Sequence, residues 1–139
     1  MIEDIVREFG YLTLGSRLKR IGERMQGDVQ RLLKMRGFEV QAGLLPLLAA
    51  LDRNGPMTVG ALVRALGVAQ PGVTRSVSLL ASQKLVEVKR DPSDKRSKPV
   101  SLTAQGQILV QHSKAGLWPQ VAEAVAGICD GLEGPLLVQ

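Results

Sequence analysis

The sequence predicts a mainly α-helical fold that carries one β-hairpin. Over most of the chain, apolar residues recur every three or four positions, which is typical of amphipathic helices. Between residues 85 and 103 the period changes to two, in the stretches "LVEVKR" and "KPVSLT". This alternation indicates two half-buried strands, and the polar loop between them predicts a two-stranded hairpin.

The first long helix is predicted over residues 12–36, and Gly37 is expected to end it at the position where a left-handed glycine commonly follows a helix. Its apolar seam consists of Leu14, Leu18, Ile21, Met25, Val29 and Leu32. Three internal glycines each weaken the helix by about 1 kcal/mol relative to alanine, so packing must stabilise it.

Three shorter helices follow, over 43–53, from the predicted N-cap Thr58 to Gly67, and from Pro71 to about residue 84. The last two are joined by a short turn that contains glycine, which is typical of a helix-turn-helix. With the hairpin after it, the arrangement is a winged helix-turn-helix. Thr103 is expected to cap a final helix to about residue 129, kinked or broken at Gly116 and Pro119.

The excess of basic over acidic residues is confined to one part of the chain. The net charge is +5, and residues 61–100 hold eight bases and three acids, whereas the remainder holds ten of each. A localised basic surface favours a polyanionic partner, although solubility alone also explains a modest positive charge.

Several classes of protein are excluded by what the sequence lacks. One cysteine and one histidine exclude a disulfide framework, a cysteine-based zinc finger and histidine-rich metal sites. With no phosphate loop or nucleophile–base pair, we expect no enzyme, no metal and no cofactor. The acidic N-terminus and the short apolar run 44–51 predict a cytoplasmic protein.

The helix that begins near Pro71 has the composition of a DNA-reading helix. Val73, Val77 and Leu80 fall on one side. The other side holds Pro71, Thr74, Arg75, Ser78 and Ser82, which are small and polar and include no acid. Arginine pairs with guanine in the major groove, and glutamine, as at Gln70, with adenine. An ordinary amphipathic surface helix is the alternative interpretation.

The loop "RDPSDKRSKP" at 90–99 is expected to extend the interface. Arg96 can enter a narrow minor groove, where the negative potential is enhanced. Asp94 can orient its guanidinium by a charge-assisted hydrogen bond. We expect Thr58, Lys89, Arg90 and Lys98 to contact phosphates.

Residues 57–106 resemble the MarR family of winged-helix regulators (multiple antibiotic resistance regulators). The resemblance lies in "MTVGALVRALGVAQPGVTRSVSLLASQKLVEVKRDPSDKRSKPVSLTAQG". It implies a homodimer, formed by N- and C-terminal helices, that binds a palindromic operator; members usually repress, and small ligands often release them. It maps the wing residues onto Arg96 and Asp94, and the reader-helix contacts onto Gln70, Thr74 and Arg75.

Two residues depart from the family pattern, and so does the length. Ala69 stands where the family often has a capping serine, and Lys84 where it commonly has glycine. The chain ends just after "GP", where the family usually has a further helix, so the C-terminal helices are expected to be truncated relative to the family. Either this chain relies more on its N-terminal helix for the dimer, or it is a piece of a longer protein.

Together these observations predict a single domain over 1–139, with a dimerisation helix at 1–37, the winged helix-turn-helix at 40–103 and C-terminal helices at 104–139. The predicted function is a ligand-responsive repressor that binds double-stranded operator DNA as a homodimer. The predicted DNA-binding residues are Thr58, Gln70, Pro71, Gly72, Thr74, Arg75, Ser78, Lys89, Arg90, Asp94, Lys95, Arg96 and Lys98. The candidate effector contacts are Tyr11, His112 and Trp118.

Two other interpretations remain open at this point. The chain could be the regulatory module of a larger acetyltransferase, because similar domains occur fused to that enzyme. It could also be a winged helix that binds protein, an interpretation that leaves the confined basic block unexplained.

Overall fold

The fold was taken from a computed structural model that describes residues 3–90, 92–94 and 96–129, with only the backbone of 127–129. Its helices are α1 Ile5–Glu8, α2 Leu14–Met35, α3 Leu45–Asn54, α4 Val59–Leu66, α5 Gln70–Ser82, α6 Ala104–His112 and α7 Trp118–Cys129, and its strands are β1 Val86–Val88 and β2 Val100–Leu102. The predicted mainly α-helical, winged helix-turn-helix fold is confirmed. The part of the predicted C-terminal helices beyond residue 129 lies outside the described residues.

The chain divides into two compact units, Met1–Gly43 and Leu44–Gln139. The single-domain organisation therefore stays a prediction. In the N-terminal unit, α2 ends as expected at Gly37, which has a φ of 80°. The N–H groups of Gly37 and Phe38 donate to the carbonyls of Lys34 and Leu33, so the helix closes in a Schellman motif.

Side chains stabilise both ends of the N-terminal unit. The Gln30 side chain donates to the Val40 carbonyl at 2.8 Å and accepts from the Ala42 N–H at 2.7 Å, which fixes the segment after α2. Before α2, Asp4 caps α1 and contacts Arg20 at 2.7 Å. The hydrogen bond from Arg20 lowers the pKa of the Asp4 carboxyl below its ordinary value.

The core of the C-terminal unit is aliphatic, as the scarcity of aromatic residues predicts. Its most buried side chains, each at most 2% exposed, include Leu48, Leu62, Leu80, Val100 and Leu117. They come from α3, α4, α5, β2 and the segment between α6 and α7, so a single apolar centre holds the helix-turn-helix against the hairpin. Full burial of one such side chain contributes roughly 1.5–3 kcal/mol.

The hairpin is short and is extended by a bridge that the sequence did not predict. Val86, Glu87 and Val88 pair antiparallel with Leu102, Ser101 and Val100. On its other side Val100 forms an isolated antiparallel bridge with Met57. The Met57 N–H donates to the Val100 carbonyl at 2.9 Å, and the Val100 N–H donates to the Met57 carbonyl at 2.7 Å. The connection between α3 and α4 is therefore held directly against β2.

Between α5 and β1 the backbone of Lys84 adopts a left-handed conformation that is strained for a residue with a Cβ atom. The N–H groups of Lys84 and Leu85 donate to the carbonyls of Ala81 and Leu80, which forms a second Schellman motif. Lys84 occupies its left-handed position with a φ of 60°, and it is the one non-glycine residue with a positive φ among those described. Glycine, which the resemblance led us to expect at this position, adopts this conformation without the steric cost of a Cβ atom.

The first turn of α6 lies against the start of the hairpin. Thr103 caps this helix, as predicted, by accepting from the Gly106 N–H at 3.1 Å, and its hydroxyl donates to the Lys84 carbonyl at 2.6 Å. A Cβ atom at Gly106 would lie only 2.1 Å from the Leu85 carbonyl oxygen. Glycine is therefore required at this position by close backbone approach.

At Gly116 and Pro119, where the sequence predicted a kink or a break, the last helix continues without a break but is not a regular α-helix. Residues Ser113–Leu117 instead form a π-helical turn that joins α6 to α7. Pro119 has no N–H to donate to the preceding turn, and its ring clashes with a carbonyl in a regular α-helix. The wider π turn accommodates the proline while the helix continues.

Gly106→Ala is expected to destabilise the protein by about 2–3 kcal/mol, because the added methyl group must displace the Leu85 backbone. Urea unfolding followed by circular dichroism measures the loss. Gly60→Ala is the matched control, since a Cβ there would meet only side-chain atoms at 3.8 Å or more. It should raise the free energy of unfolding by about 0.5 kcal/mol. Equal stability of the two variants would contradict the close approach at Gly106.

Lys84→Gly is expected to stabilise the protein by about 0.5–1 kcal/mol, because glycine adopts the left-handed conformation without the cost that a Cβ adds. Thermal unfolding provides the measurement. Lys84→Ala removes the same charge but keeps the strain, so it should bring no gain. A stabilisation by alanine as large as that by glycine would show that charge, and not backbone strain, is responsible.

Candidate nucleic-acid interface

The turn between α4 and α5 follows from how α4 begins and ends and from how α5 begins. Thr58 caps α4 by accepting from the Ala61 N–H at 3.2 Å. Gly67 ends it in the left-handed conformation, and its N–H donates to the Val63 carbonyl at 3.0 Å. After two more residues α5 begins at Gln70, and its cap residue Ala69 provides no side-chain hydrogen bond. The turn therefore depends on Gly67 and on packing.

The predicted division of α5 into two faces agrees with the burial of its side chains. Val73, Val77 and Leu80 are 1%, 5% and 0% exposed. The exposed positions are Gln70, Pro71, Thr74, Arg75, Ser78 and Ser82. No acidic residue lies on this exposed face, which leaves a small polar surface with one guanidinium.

Gly72 differs from the other predicted contacts on α5 because it is only partly exposed. A Cβ atom there would lie 3.1 Å from Cγ1 of Val68 in the preceding turn. The adjacent Ser76 hydroxyl donates to the Gly72 carbonyl at 2.9 Å. Gly72 thus allows close packing of the turn on the helix.

The basic block is presented to solvent throughout the described residues. Its exposed members are Arg64, Arg75, Lys84, Lys89, Arg90, Arg96 and Lys98. Lys95, also predicted to contact DNA, lies outside the described residues. Because α5 packs against β1, the exposed face of α5 and the hairpin belong to one compact unit.

The loop of the hairpin is organised by Asp94, but through the backbone. Its Oδ1 accepts from the Arg96 N–H at 2.9 Å, and its carbonyl accepts from the Ser97 N–H at 3.0 Å. These two bonds form a tight turn that presents the exposed Arg96 side chain. The prediction that Asp94 orients the guanidinium itself stays a prediction.

Sequence reasoning assigned no role to Glu87, which lies among the bases of the hairpin. Its Oε1 lies 3.1 Å from Nζ of Lys89. The alternation over the predicted strand 85–90 was the available signal, because residues two positions apart extend from the same face of a strand. One of the predicted phosphate contacts is therefore already paired with an acid.

The three candidate effector contacts differ in how exposed they are. Tyr11 is 94% exposed, His112 is exposed and Trp118 is partly buried. A cavity of about 420 Å³ lies between the end of α3, β2 and α6, and its polar lining consists of Asp52, Ser101, Gln107 and Gln111. It includes none of the three candidates. Beside it, Asp52 forms an ion pair with Lys114.

Two further findings bear on the class of protein. No described helix is long and apolar enough to cross a membrane. The sequence matches none of the curated proteins with which it was compared.

The family model described as the MarR family matches residues 45–97, which extend from α3 to the loop of the hairpin. The resemblance found in the sequence is therefore confirmed. The matched segment contains α4, α5 and the turn between them. It also contains all the exposed bases of the basic block except Lys98.

Solved structures share the fold along most of the chain. A mutant of MarR from E. coli complexed with operator DNA is 20% identical, with a TM-score of 0.73 over 90% of this chain and 86% of that one. The repressor CouR bound to a 23-mer DNA duplex is 23% identical, with a TM-score of 0.69 over 86% and 84%. BpsR from Bordetella bronchiseptica, whose DNA binding is regulated by 6-hydroxynicotinic acid, is 26% identical, with a TM-score of 0.64 over 88% and 83%.

Proposed function

We propose, from the match of residues 45–97 to the MarR family model, that this chain is a transcriptional regulator that binds double-stranded DNA sequence-specifically. The observation that carries the proposal is the acid-free exposed face of α5 in one compact unit with an exposed basic hairpin. A helix that enters the major groove needs small side chains and must not repel phosphate. Two similar folds bound to DNA support the same interpretation.

The proposed contacts divide into two kinds. Gln70, Thr74 and Arg75 are proposed to reach base edges in the major groove, and Arg96 to enter the minor groove. The proposed contacts to DNA phosphates are Thr58, Lys89, Arg90 and Lys98, with Asp94 supporting the turn of the loop. The other proposed DNA-binding residues, for which the kind of contact is not specified, are Pro71, Gly72, Ser78 and Lys95. Phosphate contacts position a protein on DNA, whereas base contacts determine its sequence preference.

A homodimer on a palindromic operator is proposed from the surface of the N-terminal unit. Its exposed large apolar side chains include Met35 near the end of α2 and a group between residues 5 and 21, each between 46% and 94% exposed: Ile5, Phe9, Tyr11, Leu12, Leu14, Leu18 and Ile21. Such a concentration of exposed apolar side chains along one stretch of the chain supports a protein–protein contact there. A symmetric dimer presents two reader helices to two half-sites, which requires an operator with matching symmetry.

We further propose that the regulator is cytoplasmic and acts as a repressor released by a small ligand. The effect of 6-hydroxynicotinic acid on BpsR supports ligand control in a protein of similar fold. Tyr11, His112 and Trp118 remain the proposed effector contacts, because aromatic side chains commonly line small-molecule sites.

DNA binding is expected to depend steeply on salt, because about 8–10 neutralised phosphates per dimer lower the affinity by roughly 10³–10⁵-fold between 50 and 200 mM salt.

Arg75→Ala should relax the preference for the selected operator by about 1–3 kcal/mol per half-site. Lys98→Ala should weaken binding to operator and unrelated DNA about equally. Operators selected from random DNA, followed by filter binding, provide the measurement; a nearly flat salt response would contradict the proposal.

Leu18→Glu is expected to convert the dimer into monomers, because it places a carboxylate within the exposed apolar surface of α2. Sedimentation velocity measures the change. Ser16→Glu adds the same charge about 160° away around the helix and should leave the dimer intact. If Leu18→Glu sediments as a dimer at the concentration where the wild type does, this surface is not the interface.

A further inference from the structure

The outward face of the hairpin carries a carboxylate among its bases. Glu87 lies in β1 directly opposite Ser101 of β2. Its side chain extends from the same face as Lys89, and the two charged groups are 3.1 Å apart. The Lys89 N–H also donates to the Pro99 carbonyl at 3.3 Å, so the backbone of this base continues the hairpin beyond the paired strands.

The pair is accessible to solvent at both ends. The Lys89 side chain is 72% exposed and that of Glu87 is 44% exposed. Ion pairs with this exposure are weak and are screened by salt. Lys89 can therefore leave Glu87 to bind a phosphate, but the carboxylate stays close to the position that the phosphate would occupy.

Glu87 differs from the other described acid of the hairpin in what its side chain contacts. Asp94 accepts from a backbone N–H and thereby shapes the loop. Glu87 instead lies beside an ammonium group that would otherwise bind DNA. Its carboxylate consequently lowers the positive potential at the hairpin without a backbone contact of its own among the described residues.

We propose that Glu87 limits the affinity of this protein for DNA, because its carboxylate holds Lys89 and repels the phosphate that Lys89 would neutralise. The inference rests on the proposed function, since it requires the hairpin to contact DNA. Phosphate contacts carry no sequence information. Glu87 therefore reduces binding to operator and unrelated DNA by a similar factor and leaves the sequence preference to α5.

Glu87→Gln removes the charge and retains the shape of the side chain. We expect binding to a selected operator and to a duplex of random sequence to tighten about three- to tenfold, the range for losing a weak exposed pair in both protomers. The slope of log Kobs against log salt should steepen by about one for each protomer, because Lys89 then neutralises a phosphate without the offsetting charge of Glu87. Fluorescence anisotropy across a salt series measures both quantities.

Glu23→Gln is the matched control. It removes one negative charge from another exposed pair, Lys19–Glu23, in which the charged groups are 3.9 Å apart. This pair lies on α2, which has no part in the proposed DNA contacts. The control should leave affinity and salt slope near the wild-type values, so a gain as large as that of Glu87→Gln would overturn the assignment to Glu87.

A double-mutant cycle tests whether Glu87 acts through Lys89. Lys89→Gln should weaken binding more in the Glu87→Gln background than in the wild type, because only there is Lys89 free of its acid. If the effects of the two substitutions on DNA binding are additive, Glu87 does not act through Lys89. Melting temperatures of all variants, measured without DNA, establish that each is folded.

The possible outcomes separate the two proposals. If the wild type binds DNA and Glu87→Gln binds equally well or less tightly, the inference is wrong and Glu87 serves to orient Lys89 or has no role. If neither the wild type nor Glu87→Gln binds the random duplex or selects any operator, the proposed function fails, and this inference fails with it.

Discussion

Val100 exchanges hydrogen bonds with Met57 on one side while it pairs with Val88 on the other. A two-stranded hairpin is only marginally stable in water, so this one depends on additional partners. The bridge to Met57 ties the hairpin to the start of α4, and complete burial of the Val100 side chain ties it to the core. With α5 packed on β1, the orientation of the exposed α5 face relative to the loop follows from this one residue's two pairings.

The features that were predictable from the sequence are those with short-range causes. The caps at Thr58 and Thr103, the helix end at Gly67 and the two faces of α5 each depend on residues within a few positions of one another. The Met57–Val100 bridge joins residues 43 positions apart and involves a single pair on the Met57 side, so it leaves no periodic pattern. The π turn was missed for another reason: proline predicts a disturbance of the helix but not its form.

The positions of the basic residues were predictable from the sequence, but the way their charges are paired was not. A count of bases and acids treats every charge in the block as independent, yet Lys89 is paired with Glu87. The expected pairing of Asp94 with the Arg96 guanidinium depends on two side-chain conformations, whereas its bond to the Arg96 N–H depends on local backbone geometry. The field that a partner would encounter is therefore weaker at the base of the hairpin than the net charge of the segment suggests.

The π turn at Ser113–Leu117 changes how sequences must be aligned along the last helix. One residue inserted into a regular helix rotates everything after it by about 100°. The side chains of α7 consequently project in directions that the periodicity of α6 does not predict. A relative with an unbroken helix here would match this chain in α6 and appear out of phase in α7, unless the alignment contains a one-residue gap between them.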